Sequence, residues 1–226
     1  MALPDILLID KPSGMTSFDV IRILRKKTGI RKFGHAGTLD PLASGLLIIG
    51  VEKGTKKLPE YLKLDKEYVA GIRLGERRTT GDTHGAIIET AEVPLISADA
   101  AKDALKRLVG EISLPVSAYS AIKKDGVAMY KRAHAAEKRG ELVPDIENRP
   151  MRVHDAELLS VEPLQADGRD MCVVTARFYV GSGTYIRSLA EEFGRSLGYP
   201  ATIQSLRRTR IGEFSVSDAR ELESIE

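Results

Sequence analysis

Apolar and polar positions follow two periods along this chain, and turn residues separate the runs. The opening run DILLID, ended by KPSG, has the form of a short buried strand. Beyond it Phe18, Ile21 and Leu24 recur at helical spacing while Arg22, Arg25 and Lys26 face away. A basic-faced amphipathic helix is predicted there, capped by Ser17 and stopped by Gly29. LLIIGV and KEYVAGIRLG follow as strands, with Tyr68, Ala70 and Ile72 on one face of the second. After the loop ERRTTGDTHG, AIIETA reads as a return strand. Ser97 then opens a helix with the stripe Ala101, Leu105, Leu108 and Val109.

From about Leu114 to Pro150 the periodicity breaks down. This stretch holds Pro115, Pro144 and Pro150, charged runs and one helical pattern around Ala128–Lys138, so it reads as an insertion standing off the core. MRVHDAELLSVEPL and DMCVVTARFYVG flank the turn QADGR as a hairpin. Ile186, Leu189, Ala190, Phe193 and Leu197 mark a last amphipathic helix, and RIGEFSV closes the chain as a strand. Strands and helices mix without strict alternation, and neither a repeat nor a linker divides them. The expectation is an α+β fold: a single domain over residues 1–226, with a largely antiparallel mixed sheet flanked by helices.

Composition narrows the classes. With 42% hydrophobic and 29% interspersed charged residues, the 226-residue chain can bury a core of its own. The longest apolar run, LASGLLIIGV, is too short for a membrane span, and the N-terminus carries charge too early for a signal peptide. A cytoplasmic protein without membrane contact is expected. The single Cys172, in an apolar strand-like setting, excludes a disulfide framework and leaves no zinc pair. His35, His84, His134 and His154 never recur at ligand spacing, so no metal is implied. Neither GxGxxG, a Walker A sequence nor GxSxG occurs. YVGSGTYIRSL could hold a phosphate at a helix start, a weak signal alone.

A net charge of +2 does not announce nucleic-acid binding. Its distribution is more telling: RILRKKTGIRK, EKGTKK, YKRAHAAEKRG and LRRTR are cationic clusters. Each alone reads as a solvated face; several on one face would track phosphates.

The candidate chemistry centres on Asp40 in GHAGTLDPLASGLLIIG. An Asp followed by Pro is a good helix start, with LASG completing one turn. An ionised carboxylate in that setting also has the character of a nucleophile. The glycines serve backbone geometry or close approach of a planar substrate, and His35 alone reads as a backbone-bonded loop histidine. Local sequence leaves these alternatives open.

GHAGTLDPLASGLLIIG resembles the catalytic segment of the TruB family of tRNA pseudouridine synthases. LLIDKPSGMTS, KGTKKLPEYL, KEYVAGIRLGERRTTGDTHG, AYSAIKKDGVAMYKRA, GSGTYIRSLAEEFGRSLG and LRRTRIGEFS resemble further segments of that family, in the same order. The resemblance implies the pseudouridine synthase fold and isomerisation of uridine to pseudouridine at position 55 in the T loop of tRNA, without a cofactor. Asp40 would be the nucleophile, Tyr68 would stack on the flipped base and take part in proton removal, and Arg187 would pair with the aspartate. His35 would fill the space left by the extruded nucleotide, since chemistry at a glycosidic bond requires base flipping. Lys56, Asp82 and Leu206 fall on family positions near the bound arm or pocket. The insertion at about 114–150 corresponds to the segment that clamps the arm, with Tyr119, Lys123, Lys124, Lys131 and Arg132 as contacts, and is expected to be poorly ordered without RNA.

The implied partner is the tRNA T arm, bound by a monomer. Many relatives continue into a C-terminal RNA-binding PUA domain, which this short form is expected to lack. Two further readings are a tRNA-binding or folding helper with little catalysis, and a pseudouridine synthase acting on another RNA hairpin.

Overall fold

The computed structural model describes residues 3–116, 119–120, 123–124, 126–139 and 147–225; of Lys123, Lys124, Ala128, His134 and Glu137 it describes the backbone only. In chain order β1 (Ile6–Lys11) leads to α1 (Ser17–Thr28), β2 (Phe33–Ala36) and β3 (Ser44–Val51). A 3-10 turn (Glu52–Lys57) precedes α2 (Leu58–Leu62) and β4 (Lys66–Leu74). Then come β5 (Glu76–Arg78), β6 (Ile87–Thr90), α3 (Ala98–Leu108) and β7 (Gly110–Pro115). The insertion holds β8 (Lys123–Lys124), β9 (Val127–Ala128) and α4 (Met129–Lys138). Next are β10 (Asn148–Ala166), β11 (Arg169–Val180), α5 (Ile186–Leu197) and β12 (Ala201–Ile211). Two short strands, β13 (Phe214–Ser215) and β14 (Arg220–Glu221), complete the α+β arrangement.

These elements form two compact units, one of Met1–Ala70, Arg177–Ser182 and Ser205–Glu226, the other of Gly71–Ala176 and Gly183–Gln204. In the first, β3 is the central strand: antiparallel to β1 (Leu8 opposite Ile48) and to β2 (His35 opposite Ile49), and parallel to β12 at Ser44 and Gly45. Both of its faces are buried. Leu47, Ile49 and Val51 pack with Leu7, Ile9, Val20, Ile21 and Leu24, while Leu46 and Ile48 pack with Ala36, Leu58 and Ile211. A strand covered on both sides needs a continuous apolar run, which is why LLIIGV shows no alternation.

In the second unit β7 and β10 pair antiparallel (Ile112 opposite Met151), and α3 lies against β10 and α5. The β10–β11 hairpin turns on Asp167 and Gly168, at φ +51° and +71°, the backbone that a tight two-residue turn demands.

Several local expectations are corrected. Thr16, not Ser17, caps α1: its side chain accepts from Asp19 N–H and the Asp19 carboxylate reaches back to Thr16, a capping box. Ser17 is thereby free to point inward, and it is buried. Val109 lies beyond the α3 stripe, exposed at the helix end. ATIQSLRRTRI, whose arginines read as a cationic cluster in sequence, is the long strand β12.

Asp40 does not open a helix. Residues 37–43 are a turn in which Ala43 N–H donates to Asp40 C=O, while the C=O groups of Gly37, Leu39, Pro41 and Leu42 are bound by other parts of the chain.

Candidate active site

The turn around Asp40 connects β2 to β3, and other segments of the first unit hold it from several sides. Leu39 N–H donates to Ser17 Oγ (2.9 Å), whose hydroxyl donates back to Leu39 C=O (3.2 Å). Gly14 N–H donates to Pro41 C=O (2.8 Å), and Ser13 Oγ to Leu42 C=O (2.7 Å). Arg208 donates from Nη2 to Gly37 C=O (3.0 Å) and from Nε to Leu46 C=O (2.8 Å), bracketing the turn. The KPSGMTS segment and the LRRTR strand thus act as a clamp on the backbone either side of Asp40. That constraint fixes the half-buried carboxylate to a narrow range of positions.

Two fully buried cations belong to this arrangement. Arg208 is 1% exposed and Lys11 0%. Lys11 Nζ donates to Pro12 C=O (2.9 Å) and Met15 C=O (2.7 Å), fixing the loop that leads into α1. Burial pushes its ammonium down to about 8; attraction to the Asp40 carboxylate opposes that, and Arg208 adds to it. His35, on β2, is half-buried with Nδ1 buried and unpaired. Its imidazole is held below the usual histidine value, first by burial and then by the Arg208 guanidinium, and so favours the neutral form.

All four glycines of the segment have protein against their α-carbons. A Cβ on Gly45, at φ +105°, would lie 2.2 Å from Arg208 C=O, and one on Gly50 would lie 2.9 Å from the Thr55 backbone. A Cβ on Gly34 would meet Leu58, and one on Gly37 would meet Arg208 Nη1. Gly34, Gly45 and Gly50 serve tight internal packing, and Gly37, at φ +79° with Arg208 Nη1 3.4 Å from where its Cβ would lie, serves backbone geometry.

In the second unit Arg187 is 6% exposed, not the solvated helix residue that its place off the apolar stripe suggests. Its Nη1 donates to Thr80 C=O (2.7 Å) and its Nη2 to Tyr119 C=O (3.2 Å). The TTGDTHG loop that supplies Thr80 is organised by Asp82. The buried Asp82 carboxylate accepts from Thr80 Oγ1 (2.6 Å) and His84 N–H (3.0 Å), and Asp82 bridges in parallel to Ile203. Asp82 therefore shapes the loop that holds Arg187. Neighbouring Glu191 is raised above its usual range by burial, against the pull of Arg77 and Arg187.

The predicted residues thus fall into two sets. Asp40 and His35 share the first unit with Lys11 and Arg208; Tyr68 is half-buried on β4, Leu206 buried on β12 and Lys56 exposed on the 3-10 turn. Arg187, Asp82 and Tyr119 are linked within the second. Lys131 is exposed and Arg132 half-buried on α4, whereas the side chains of Lys123 and Lys124, and part of the insertion, lie outside the described residues.

Sequence reasoning missed Lys11, Ser17 and Arg208. Lys11 had a signal: it follows Leu7 and Ile9 at every second position on the buried face of β1. Arg208 shares such a face with Leu206. Among the described residues no three His, Cys, Asp or Glu side chains cluster as a metal site, and no helix is long and apolar enough to cross a membrane.

Comparison with known proteins gives these features a context. Residues 25–186 match the TruB family pseudouridylate synthase (N terminal domain). The chain is 44% identical over 224 residues to a protein of Leifsonia xyli subsp. xyli named tRNA pseudouridine synthase B, covering 98% of this chain and 71% of that one. It is 41% identical over 223 residues to the protein of the same name from Mycobacterium leprae, covering 98% and 68%. A chain in the solved structure of an H/ACA RNP bound to a substrate RNA containing 2'-deoxyuridine superposes with TM-score 0.65 at 30% identity. That match covers 96% of this chain but only 51% of the other, about half its length.

Proposed function

Because this chain belongs to the TruB family of pseudouridylate synthases, we propose that it isomerises uridine to pseudouridine at position 55 in the T loop of tRNA, acting as a cytoplasmic monomer. The two relatives named tRNA pseudouridine synthase B support tRNA as the substrate. In this reading residues 1–226 work as one catalytic domain.

The observation that carries the reading is the clamped turn. Leu39, Asp40, Pro41 and Leu42 each have a backbone C=O bound, and the carboxylate between them lies within the field of the buried Lys11 ammonium. A nucleophile held in place by its scaffold needs little reorganisation as it reacts. The target uridine is flipped out of the loop and His35, uncharged, fills the space it leaves. Asp40 attacks the target nucleotide and forms a transient bond to it, the C1′–N1 bond breaks, the uracil turns, C1′ joins C5, and the bond to Asp40 breaks to return the free carboxylate. The C5 proton passes to solvent with the help of Tyr68, and N1 takes up a proton, so the product has the same composition as the substrate. The family resemblance assigns Arg187 the part of the cation that pairs with the aspartate and aims it.

Lys56, Leu206 and Asp82 border the bound arm, and Tyr119, Lys123, Lys124, Lys131 and Arg132 grip it, mostly through phosphate and shape. The test is tritium release from a tRNA transcript labelled at uracil C5, beside a transcript with cytidine at position 55. Release from the first only is expected; no release from either would overturn the reading.

A further inference from the structure

The outer face of α1 is not explained by the clamp. Between Arg22 and Lys32 the chain places six cations and no acid, against a net charge of +2 for the whole. Two of the six are engaged: Arg22 pairs with Asp19 (2.7 Å), and Lys27 Nζ donates to Glu223 C=O and Ile225 C=O. Arg25, Lys26, Arg31 and Lys32 are exposed, and no carboxylate pairs with them among the described residues.

The fold extends this cationic run with a second one. Glu52 N–H donates to Lys32 C=O (2.9 Å), and Phe33 pairs with Val51, so the 3-10 turn carrying Lys53, Lys56 and Lys57 begins beside Lys32. Those three lysines are exposed as well, Lys53 with only a long contact of 3.7 Å to Asp5. Two clusters separate in sequence therefore meet where Lys32 is bonded to Glu52.

Helix-dipole compensation accounts for cations in the last turn of α1. It does not account for Arg31 and Lys32 beyond Gly29, nor for the 3-10 turn. At its other end the helix starts at the clamp: Ser17 is bonded to Leu39, and the next residue, Phe18, is 49% exposed. The guanidinium groups of Arg22 and Arg25 lie 5.3 and 5.8 Å from the Phe18 ring centroid. An exposed aromatic flanked by guanidinium planes suits nucleic acid, which offers both phosphates and stacking faces. The 12-residue helix is about 18 Å long, enough to follow several backbone phosphates.

On the basis of the reading above, we infer that the outer face of α1, continued by Arg31, Lys32 and the Glu52–Lys57 turn, is an RNA-backbone track. It leads away from the Asp40 turn and adds affinity without taking part in the chemistry.

The test compares wild type with Arg25→Gln/Lys26→Gln/Arg31→Gln and with a charge-matched control on α3, Lys102→Gln/Lys106→Gln/Arg107→Gln. Binding to a T-arm hairpin and to full-length tRNA is measured between about 50 and 200 mM salt. The α1 variant is expected to bind tRNA about tenfold or more weakly and to flatten the log–log salt slope by about 2, at roughly 0.7–0.9 per lost phosphate contact. Its kcat at saturating RNA stays unchanged, and the α3 control matches wild type. A loss confined to full-length tRNA places the track beyond the T arm; a loss on both RNAs places it along the arm; either supports the inference. Wild-type affinity and slope on both RNAs, or an equal loss in the α3 control, overturn it. Tritium release by the wild type is scored separately, so failure of the functional reading is distinguishable from failure of the track.

Discussion

Ser17 and Leu39 exchange two hydrogen bonds across 22 residues of chain, each donating to the other. Ser17 is able to do so because Thr16 takes the capping role and turns the first residue of α1 inward. The helix thereby anchors the backbone immediately before Asp40, and a local detail of helix capping becomes a determinant of the site.

Ser17→Ala removes both bonds and leaves a buried backbone pair unsatisfied. The variant should lose about 1–3 kcal/mol of stability in urea denaturation. Its kcat on tRNA should fall several-fold with little change in KM, because the loosened turn affects aim rather than RNA grip. A fall in stability with kcat intact would show that the clamp is structural only.

Lys11 makes stability depend on pH in a defined direction. Its folded value is about 8 against an ordinary 10.5, so between those values the unfolded chain binds more protons and stability rises with pH. Lys66, also pushed down to about 8 by burial, acts in the same sense, while the raised Cys172 and Tyr179 oppose it from pH 9.0 and 10.0 upward. Comparison with Lys11→Met isolates the one group. From about pH 7 to about pH 9.5 the urea midpoint of wild type should rise relative to that of the variant. A constant gap would remove Lys11 from the account.

Positive φ alone and positive φ with close approach should be separable at two glycines. Gly183 lies at φ +85° with open space where a methyl group would project, so Gly183→Ala should cost about 1 kcal/mol. Gly45→Ala would drive Cβ against the Arg208 backbone, and should cost about 3 kcal/mol or more and disturb the clamp. Thermal melts of the two variants check the contrast.

Much of the fold is legible in periodicity. β1, β3, β4, α3 and α5 follow apolar spacing, and the β10–β11 hairpin follows its Asp-Gly turn. β12 is hidden because three arginines interrupt it; Arg208 can be buried there because Gly37 and Leu46 offer it carbonyls, a compensation invisible along the chain. The Asp40 turn imitates a helix start for a related reason. Local propensity favours a cap, but tertiary bonds from Ser13, Gly14, Ser17 and Arg208 take the surrounding backbone groups. The candidate acid itself is evident from its motif, whereas the residues that hold it are not: their role depends on contacts between segments far apart in sequence.

The central claim is that Asp40 is the nucleophile while the residues of the clamp position it. Asp40→Asn keeps the size of the side chain and removes its nucleophilic carboxylate. Single-turnover assays with tRNA labelled at uracil C5, run beside binding assays and thermal melts, test this most directly. The account predicts a variant that folds and binds tRNA like wild type yet releases no tritium; release at a rate near wild type would contradict it.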